Sequence, residues 1–326
     1  MAKIKFAIPK GSLEKATYEI IENAGYRIYG KERTYRPKLN DPAIEVKILR
    51  PQEIPVAVSE GIADLGITGL DWILETGADV ETLQNLEYGK IKIVLAVPKG
   101  SRVESLSDLV EEFSRKRRNL RFSTEYLNLG FDYIMRNRAY KKRFGNQEPL
   151  MITPWWRKGK NSKVEIFLSF GATEAKPPED ADAIFDVIET GSTLDQNNLK
   201  SIETLLESSA VLIANKKALK DTGKREKIFD VLTLLKGVVD GRKKIHIFLN
   251  VEKKNLPRLL KELPALKGPT VNELSTKGWY SINTIVGKDE FLKLLPTIRR
   301  LAQGLVVHSP QQILPLEEIW KNESNG

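Results

Sequence analysis

A chain of 326 residues, 41% of them hydrophobic, can bury a sizeable core, and at roughly 150 residues per domain it should form two or three domains. The absence of cysteine excludes disulfides, thiolate metal sites and a cysteine nucleophile, and two histidines, His246 and His308, cannot make a histidine-rich metal centre. The net charge of +9 favours anionic ligands, while the longest apolar runs, such as Ile91 to Val97, are strand-length and contain a lysine, which excludes a membrane span and predicts a cytoplasmic protein.

In chain order, Lys3 to Ile8 reads as a buried strand, and Pro9-Lys10-Gly11 makes a turn that delivers Ser12 as a helix N-cap. Leu13, Ala16, Ile20, Ile21 and Ala24 then share one helical face, and Gly25 supplies the stop. A strand, short loop and helix of this kind place Lys10 and free N–H groups where a phosphate could bind; the plainer reading is a surface lysine beside a loop. Glu45 to Leu49 is a second strand, ended by Arg50-Pro51, and Ile54-Pro55 opens a short helix through Val56, Val58 and Ile62. In the following strand Gly66 and Gly69 flank Thr68, and Asp71 starts the next helix. Glycines so spaced either let a ligand approach the backbone or simply make a structural turn.

Lys92 to Val97 is another strand, and Ser101 to Arg117 reads as an amphipathic helix with Ser105 or Ser107 near its start. From Tyr126 to Lys163, Tyr133, Tyr140, Phe144, Trp155 and Trp156 lie among Arg and Lys, a pattern that suits either base stacking or a helix packing its aromatics before a basic loop. Val164 to Leu168 returns to strand and leads into Gly171-Ala172-Thr173-Glu174.

The stretch Asp182 to Leu194 moves from buried-strand composition to a turn. Ile184, Phe185, Val187 and Ile188 fill both faces of a strand, as in a parallel sheet covered by helices. Asp186 and Glu189 can accept hydrogen bonds from vicinal hydroxyls, and Thr190-Gly191-Ser192-Thr193 can aim N–H and hydroxyl groups at an anion, a combination that suits a ribose 5-phosphate. The alternative is a strand-to-helix turn with Thr193-Leu194-Asp195-Gln196 as a capping box. Ser208 to Ala214 is a strand, Asp221 to Leu235 a helix, and Gly237 with Asp240-Gly241-Arg242-Lys243-Lys244 a linker. Beyond it, strand 245–251, helix 255–263, strands 270–274 and 279–286, helix 289–301 and strand 305–308 spell βαββαβ, the ferredoxin-like unit that often serves regulation or assembly.

Taken together, Ile8-Pro9-Lys10-Gly11-Ser12-Leu13, Arg50-Pro51-Gln52-Glu53-Ile54-Pro55, Ala63-Asp64-Leu65-Gly66-Ile67-Thr68-Gly69, Gly171-Ala172-Thr173-Glu174, Ala181-Asp182-Ala183-Ile184 through Leu194, and Gly268-Pro269-Thr270-Val271 span nearly the whole chain, which in this combination resembles the long form of ATP phosphoribosyltransferase. The resemblance implies an α/β fold with a two-lobed periplasmic-binding-protein-like catalytic core and a C-terminal ferredoxin-like regulatory domain. It divides the chain into lobe I (1–90 with about 195–238), lobe II (91–194, with the phosphoribosyl loop) and a regulatory domain (243–320). It implies that N1 of the ATP adenine displaces pyrophosphate from C1 of phosphoribosyl pyrophosphate with Mg²⁺ on the leaving group, that histidine inhibits, and that the chain forms a dimer or hexamer with neither nucleic acid nor membrane as partner.

Carried over by position, Lys10 and Glu189 are the catalytic candidates. Gly171, Ala172, Thr173, Glu174, Asp186, Glu189, Thr190, Gly191, Ser192, Thr193 and Leu194 face phosphoribosyl pyrophosphate; Gly11, Ser12, Arg50, Gly66, Thr68, Gly69 and Asp71 face ATP; Thr270 is the candidate for histidine. No protein ligand to the metal is singled out. Many relatives carry arginine where this chain has Ser12 and Ser192, and the segment from about Tyr140 to Ser162 looks like an insertion. Two other functions are compatible with parts of the sequence: a non-catalytic two-lobed ligand-binding protein, for which the acid-plus-hydroxyl loop is surplus, and a nucleic-acid binder, which rests on net charge and the aromatic-basic segment alone.

Overall fold

Aliphatic and β-branched runs bounded by Gly, Pro and Asn form the strands. The computed structural model describes residues 2–30, 34–189, 191–263 and 268–314. The first elements are β1 (Ile4–Pro9), α1 (Glu14–Asn23), β2 (Ile28–Tyr29), β3 (Lys38–Leu39), β4 (Ile44–Leu49), α2 (Ile54–Ser59), β5 (Leu65–Gly69), α3 (Leu70–Thr76) and β6 (Glu81–Asn85). There follow β7 (Ile91–Pro98), α4 (Leu106–Lys116), β8 (Leu120–Thr124), α5 (Leu127–Arg136), α6 (Arg138–Phe144), β9 (Pro149–Ile152), β10 (Arg157–Lys158), β11 (Asn161–Leu168), β12 (Ala183–Ile188), α7 (Ser192–Gln196), β13 (Leu199–Ser208) and β14 (Ala210–Ala214). The last are α8 (Thr222–Lys243), β15 (Lys244–Glu252), α9 (Leu256–Glu262), β16 (Thr270–Glu273), β17 (Trp279–Gly287), α10 (Lys288–Leu301) and β18 (Ala302–His308). The chain separates into two compact units: Ile4–Ala16 with Val46–Asp221, and Met1–Lys3, Thr17–Glu45 with Thr222–Gly326.

The larger unit has two lobes, each built on a sheet. In one lobe the order is β4-β1-β5-β14-β6, with β1 and β5 parallel and β14 antiparallel to β5. Ile54 and Val58 of α2 pack there on Ala7, Ala63, Val211 and Ile213. Gly66 makes this approach possible, since a Cβ on it would stand 2.6 Å from Ile54 Cγ2 and 2.9 Å from Val58 Cγ2. In the other lobe the order is β10-β9-β11-β8-β12-β7-β13, with β8 parallel to both β11 and β12. Phe122 and Phe185 stack at its centre, ring centroids 5.0 Å apart. Fully buried Tyr140 donates to the Gln147 carbonyl (2.6 Å) and accepts from Asn161 Nδ2 (2.9 Å), so its phenol is satisfied without water.

In the smaller unit, the order β16-β17-β15-β18 is fully antiparallel. Ile245, Ile247, Leu249 and Val251 put one face of the sheet into a core with Leu259 of α9 and Ile298 of α10. This is the expected ferredoxin-like βαββαβ arrangement.

Several local expectations change. The supposed linker at Asp240 to Lys244 is mostly the last turns of α8, which runs unbroken to Lys243. Its glycines are packing positions: a Cβ on Gly237 would meet Leu314 Cδ2 at 2.2 Å, and one on Gly241 would meet the Gln311 and Pro310 carbonyl oxygens at 3.1 Å. Ser12 lies in the turn before α1, which begins at Glu14. Thr193 is inside α7 and caps nothing, because Gly191 occupies the N-cap with φ +84°. Of the two candidate serines at α4, Ser105 is the cap, its hydroxyl accepting from the Asp108 N–H at 3.1 Å. Trp155 and Trp156 lie in the turn joining β9 to β10, where the Thr153 hydroxyl accepts from both of their N–H groups. The ten-residue β13 has no counterpart in the sequence reading. Register shifts at Ser201/Glu203 and Thr204/Leu206 break its two-residue alternation and hide the strand.

Gly66→Ala is expected to destabilise the larger unit by about 1–3 kcal/mol through overpacking against Ile54 and Val58, read as a lower urea midpoint. An unchanged midpoint would mean that α2 can yield without cost.

Candidate active site

The C-terminal ends of β1, β4, β5, β8 and β12 converge on one cavity of about 300 Å³ within the larger unit. Ligands of α/β sheets bind at such strand ends because loops there are free to carry polar groups while the strands below stay rigid. One lobe supplies Lys10, Gly11 and Ser12 after β1, Arg50 and Gln52 after β4, and Gly69, Asp71 and Trp72 after β5. The other lobe supplies Glu125 and Tyr126 after β8, and Val187 and Glu189 from β12 and its end.

Two of these loops hold each other. The Lys10 N–H donates across to the Leu49 carbonyl at 2.8 Å, and within each loop the Gly11 and Arg50 N–H groups donate to the carboxylates of Glu14 and Glu53 at 3.3 and 3.0 Å. Gly11 has φ +92°, and a Cβ on it would lie 3.7 Å from Arg50 Nη1, so the guanidinium is seated beside the bend. A cation from each loop therefore faces the cavity.

Asp71 and Glu75, one turn apart on α3, tie the two lobes together. Asp71 accepts from the Ser208 hydroxyl (2.6 Å) and from the Tyr126 hydroxyl (2.9 Å), and Trp72 stacks on Tyr126 with centroids 4.6 Å apart. Burial and the Asp71 carboxylate push the Tyr126 phenol far above its ordinary range, so it remains a donor. Glu75 accepts from the Asn128 and Leu129 N–H groups at 2.9 Å each. Burial nevertheless pushes its carboxyl up to about 7, against the downward pull of those donors.

A second acidic group stands on the other wall. Burial pushes the Asp186 carboxyl up to about 6, helped by the charges of Glu174 and Glu125 and opposed by the Val187 N–H that it accepts at 2.7 Å. The Glu125 carboxyl is raised by burial and then by Glu174. Gly171 and Ala172, both at positive φ, turn the chain after β11 so that Gly171 lies beside Glu125 and Glu174 joins the group. Among the described residues no set of three or more His, Cys, Asp or Glu could by itself hold a metal ion.

Of the residues expected at the site, Lys10, Gly11, Ser12, Arg50, Gly69, Asp71 and Glu189 line the cavity. Gly171, Glu174 and Asp186 flank it through Glu125, and buried Thr173 opens the short turn that carries Glu174. Gly66 and Thr68 lie beneath: Gly66 packs on α2, and the Thr68 hydroxyl donates to the Pro51 carbonyl at 2.7 Å, fixing the Arg50 loop from below. Gly191, Ser192 and Thr193 form the entry to α7, whereas Leu194 is core, packed with Val94, Ala96, Ile184 and Leu199. Thr190 lies outside the described residues. Thr270 belongs to the smaller unit, on β16 opposite Asn283. The sequence reading missed Gln52, Trp72, Glu125 and Tyr126. A signal for two of them was present, since Thr124-Glu125-Tyr126 follows a buried strand as the recognised loops do. A neighbouring cavity of about 400 Å³ shares Glu189 and Ile91 and adds Lys90, Lys92, Ser208 and Ser209, with Lys92 paired to Glu207 at 2.8 Å.

Residues 50–237 match the ATP phosphoribosyltransferase family model, and residues 241–309 match the model described as HisG, C-terminal domain. ATP phosphoribosyltransferase of Chlorobaculum parvum is 36% identical over 317 residues, covering 95% of this chain and 97% of the relative. That of Solibacter usitatus is 38% identical over 312 residues, covering 94% and 97%. The solved ATP phosphoribosyl transferase (HisG:HisZ) complex of Thermotoga maritima contains a chain with the same fold, at TM-score 0.55 and 24% identity, covering 73% of this chain and 98% of its own. The chain belongs to the ATP phosphoribosyltransferase family, in the long form that joins a catalytic core to a C-terminal domain.

Proposed function

We propose that the cavity binds phosphoribosyl pyrophosphate and ATP together and that N1 of the adenine attacks C1 of the ribose, so that an N1–C1 bond forms as the C1–O bond to pyrophosphate breaks. Displacement at an anomeric carbon builds positive charge on the sugar and negative charge on the leaving group. Lys10, Arg50 and the N–H groups of the glycine-containing loops stabilise the departing charge by position, without a covalent intermediate. Gly69 and Asp71 belong to the nucleotide side, with Gly11 and Ser12. The ribose hydroxyls donate to Glu189 and Asp186, and the 5-phosphate takes the donors of 191–193. The adenine N1 lone pair is already nucleophilic, so no base is required before attack, and a proton leaves the adduct afterwards.

Carried in on the pyrophosphate, Mg²⁺ would supply neutralisation of the charge developing on the leaving group. Glu174, Glu125 and Asp186 offer hard oxygen donors of the kind this ion takes one or two at a time while keeping substrate and water ligands. In the same reading the reaction opens histidine biosynthesis, histidine inhibits through the C-terminal domain with Thr270 nearby, and copies of the chain assemble as a homo-oligomer. Among the described residues no helix is long and apolar enough to cross a membrane.

One observation carries the reading: in a chain of this family, cations from one lobe and carboxylates from the other share a single cavity at the strand ends. The test is to combine the protein with ATP, phosphoribosyl pyrophosphate and Mg²⁺ and follow the N1 adduct, with and without histidine. No adduct near the protein's working temperature sinks the proposal.

Glu189→Ala should raise KM for phosphoribosyl pyrophosphate by about 10–100-fold, as expected for losing a charged hydrogen bond worth about 1.5–3 kcal/mol, with a smaller effect on ATP. Equal effects on both substrates would remove Glu189 from the ribose.

The raised carboxyl of Asp186 sets a pH dependence. Between its ordinary value of 3.8 and about 6, the folded state holds a proton that the unfolded state lacks, so the folded protein gains stability as pH falls through about 6. Asp186→Asn is therefore expected to be more stable relative to wild type at pH 8 than at pH 5, the gap closing by about 1 kcal/mol. A gap independent of pH would mean that the Asp186 carboxyl titrates in its ordinary range.

A further inference from the structure

We propose that Glu75 is a positioning residue for phosphoribosyl transfer: from one lobe it caps the first turn of α5 in the other and so holds Glu125 and Tyr126 against the cleft. The proposal rests on the cavity being the catalytic cleft. Every helix begins with N–H groups that have no partner within the helix. The residue at the N-cap of α5 is Tyr126, whose side chain caps nothing. The two donors it leaves, on Asn128 and Leu129, are taken one by each oxygen of Glu75, both at 2.9 Å. A third bond has the same direction, Asn128 Nδ2 donating to the Glu75 backbone carbonyl at 2.9 Å.

A serine at position 126 would cap this helix locally and cost no buried charge. Position 126 instead carries a tyrosine that stacks on Trp72, donates to Asp71 and lines the cavity. With the local cap given up to the cleft, the acceptor comes from α3, although Glu75 is only 8% exposed and an unpaired charge there would be costly. Because Glu125 and Tyr126 directly precede the capped turn, any tilt of that turn displaces both. Asp71 and Glu75 thus grip the same segment at two points, one at the Tyr126 hydroxyl and one at the backbone behind it.

The test uses the full-length protein with ATP, phosphoribosyl pyrophosphate and Mg²⁺, comparing Glu75→Ala, Glu75→Gln and, as a control on the same helix, Leu74→Ala at an exposed position. Two quantities are read: kcat and KM for each substrate, and hydrogen exchange of the peptide spanning 125–131, both well below the unfolding transition. Glu75→Ala should lower kcat/KM by about 10–100-fold, the scale of a site displaced by about 1 Å, and should speed exchange in that peptide. Glu75→Gln keeps one acceptor but turns an amide donor toward the second N–H, so it should fall between Glu75→Ala and wild type on both readouts. Leu74→Ala should match wild type on both. A folded Glu75→Ala with wild-type kcat, KM and local exchange overturns the proposal, as does lost activity accompanied only by a lower melting temperature and unchanged exchange at 125–131. If Glu75→Ala fails to fold, the glutamine variant decides by the same criteria. An inactive wild type would instead remove the functional reading, and this role with it.

Discussion

Asp71 is the constraint on which the cleft depends. The residue is 2% exposed, and its carboxylate would be costly to bury alone. Ser208, from the end of β13, and Tyr126, before α5, each give it a hydroxyl. Loss of either partner leaves a buried charge short of a donor, so both stay, and the polar requirement of one side chain becomes a positional requirement on two strands and a helix. The aromatic contact between Trp72 and Tyr126 reinforces the same junction with a directional stacking preference. No buried side-chain polar atom among the described residues is left without a partner.

Around that junction the two lobes contribute opposite chemistry. The loops after β1 and β4 bring a lysine and an arginine, while the segments after β8, β11 and β12 bring Glu125, Glu174 and Glu189, with Asp186 on β12 itself. Burial, reinforced by the charge of Glu174, raises the carboxyl of Glu125, and burial with the charges of Glu174 and Glu125 raises that of Asp186, a state that a hydroxylated or cationic ligand would relieve. The backbone bends that allow this are confined to a few residues. Gly11, Gly171 and Gly191 all lie at positive φ, where a side chain would be strained, and each sits in a segment that carries the family resemblance.

Much of the fold was legible because its signals are local. The C-terminal βαββαβ unit follows from the alternating periodicity of β15 and β17 and the helical periodicity of α10. Where the sequence misled, the cause lay elsewhere in the chain. Gly237 and Gly241 read as helix breakers, yet they are inside α8 because residues 310–314 press against them. β13 escaped notice because two register shifts erase its alternation. The Thr193 capping pattern failed because the preceding glycine, free to adopt positive φ, took the N-cap position.

The site divides in the same way. By itself the sequence determined which loops follow buried strands and which residue types they carry, and so pointed to Lys10 and Glu189, since strand, turn and glycine preferences act over a few residues, while Arg50 and Asp71 entered as site candidates through the family resemblance. Only the tertiary structure decided what those groups do. Asp71 is held by partners 137 and 55 positions away, Thr68 supports a loop 17 positions away and does not line the cavity, and Glu75 caps a helix 53 positions on. A carboxylate's charge state and freedom depend on which donors and acids lie within a few ångströms, and folding brings those neighbours from strands that are far apart in the chain.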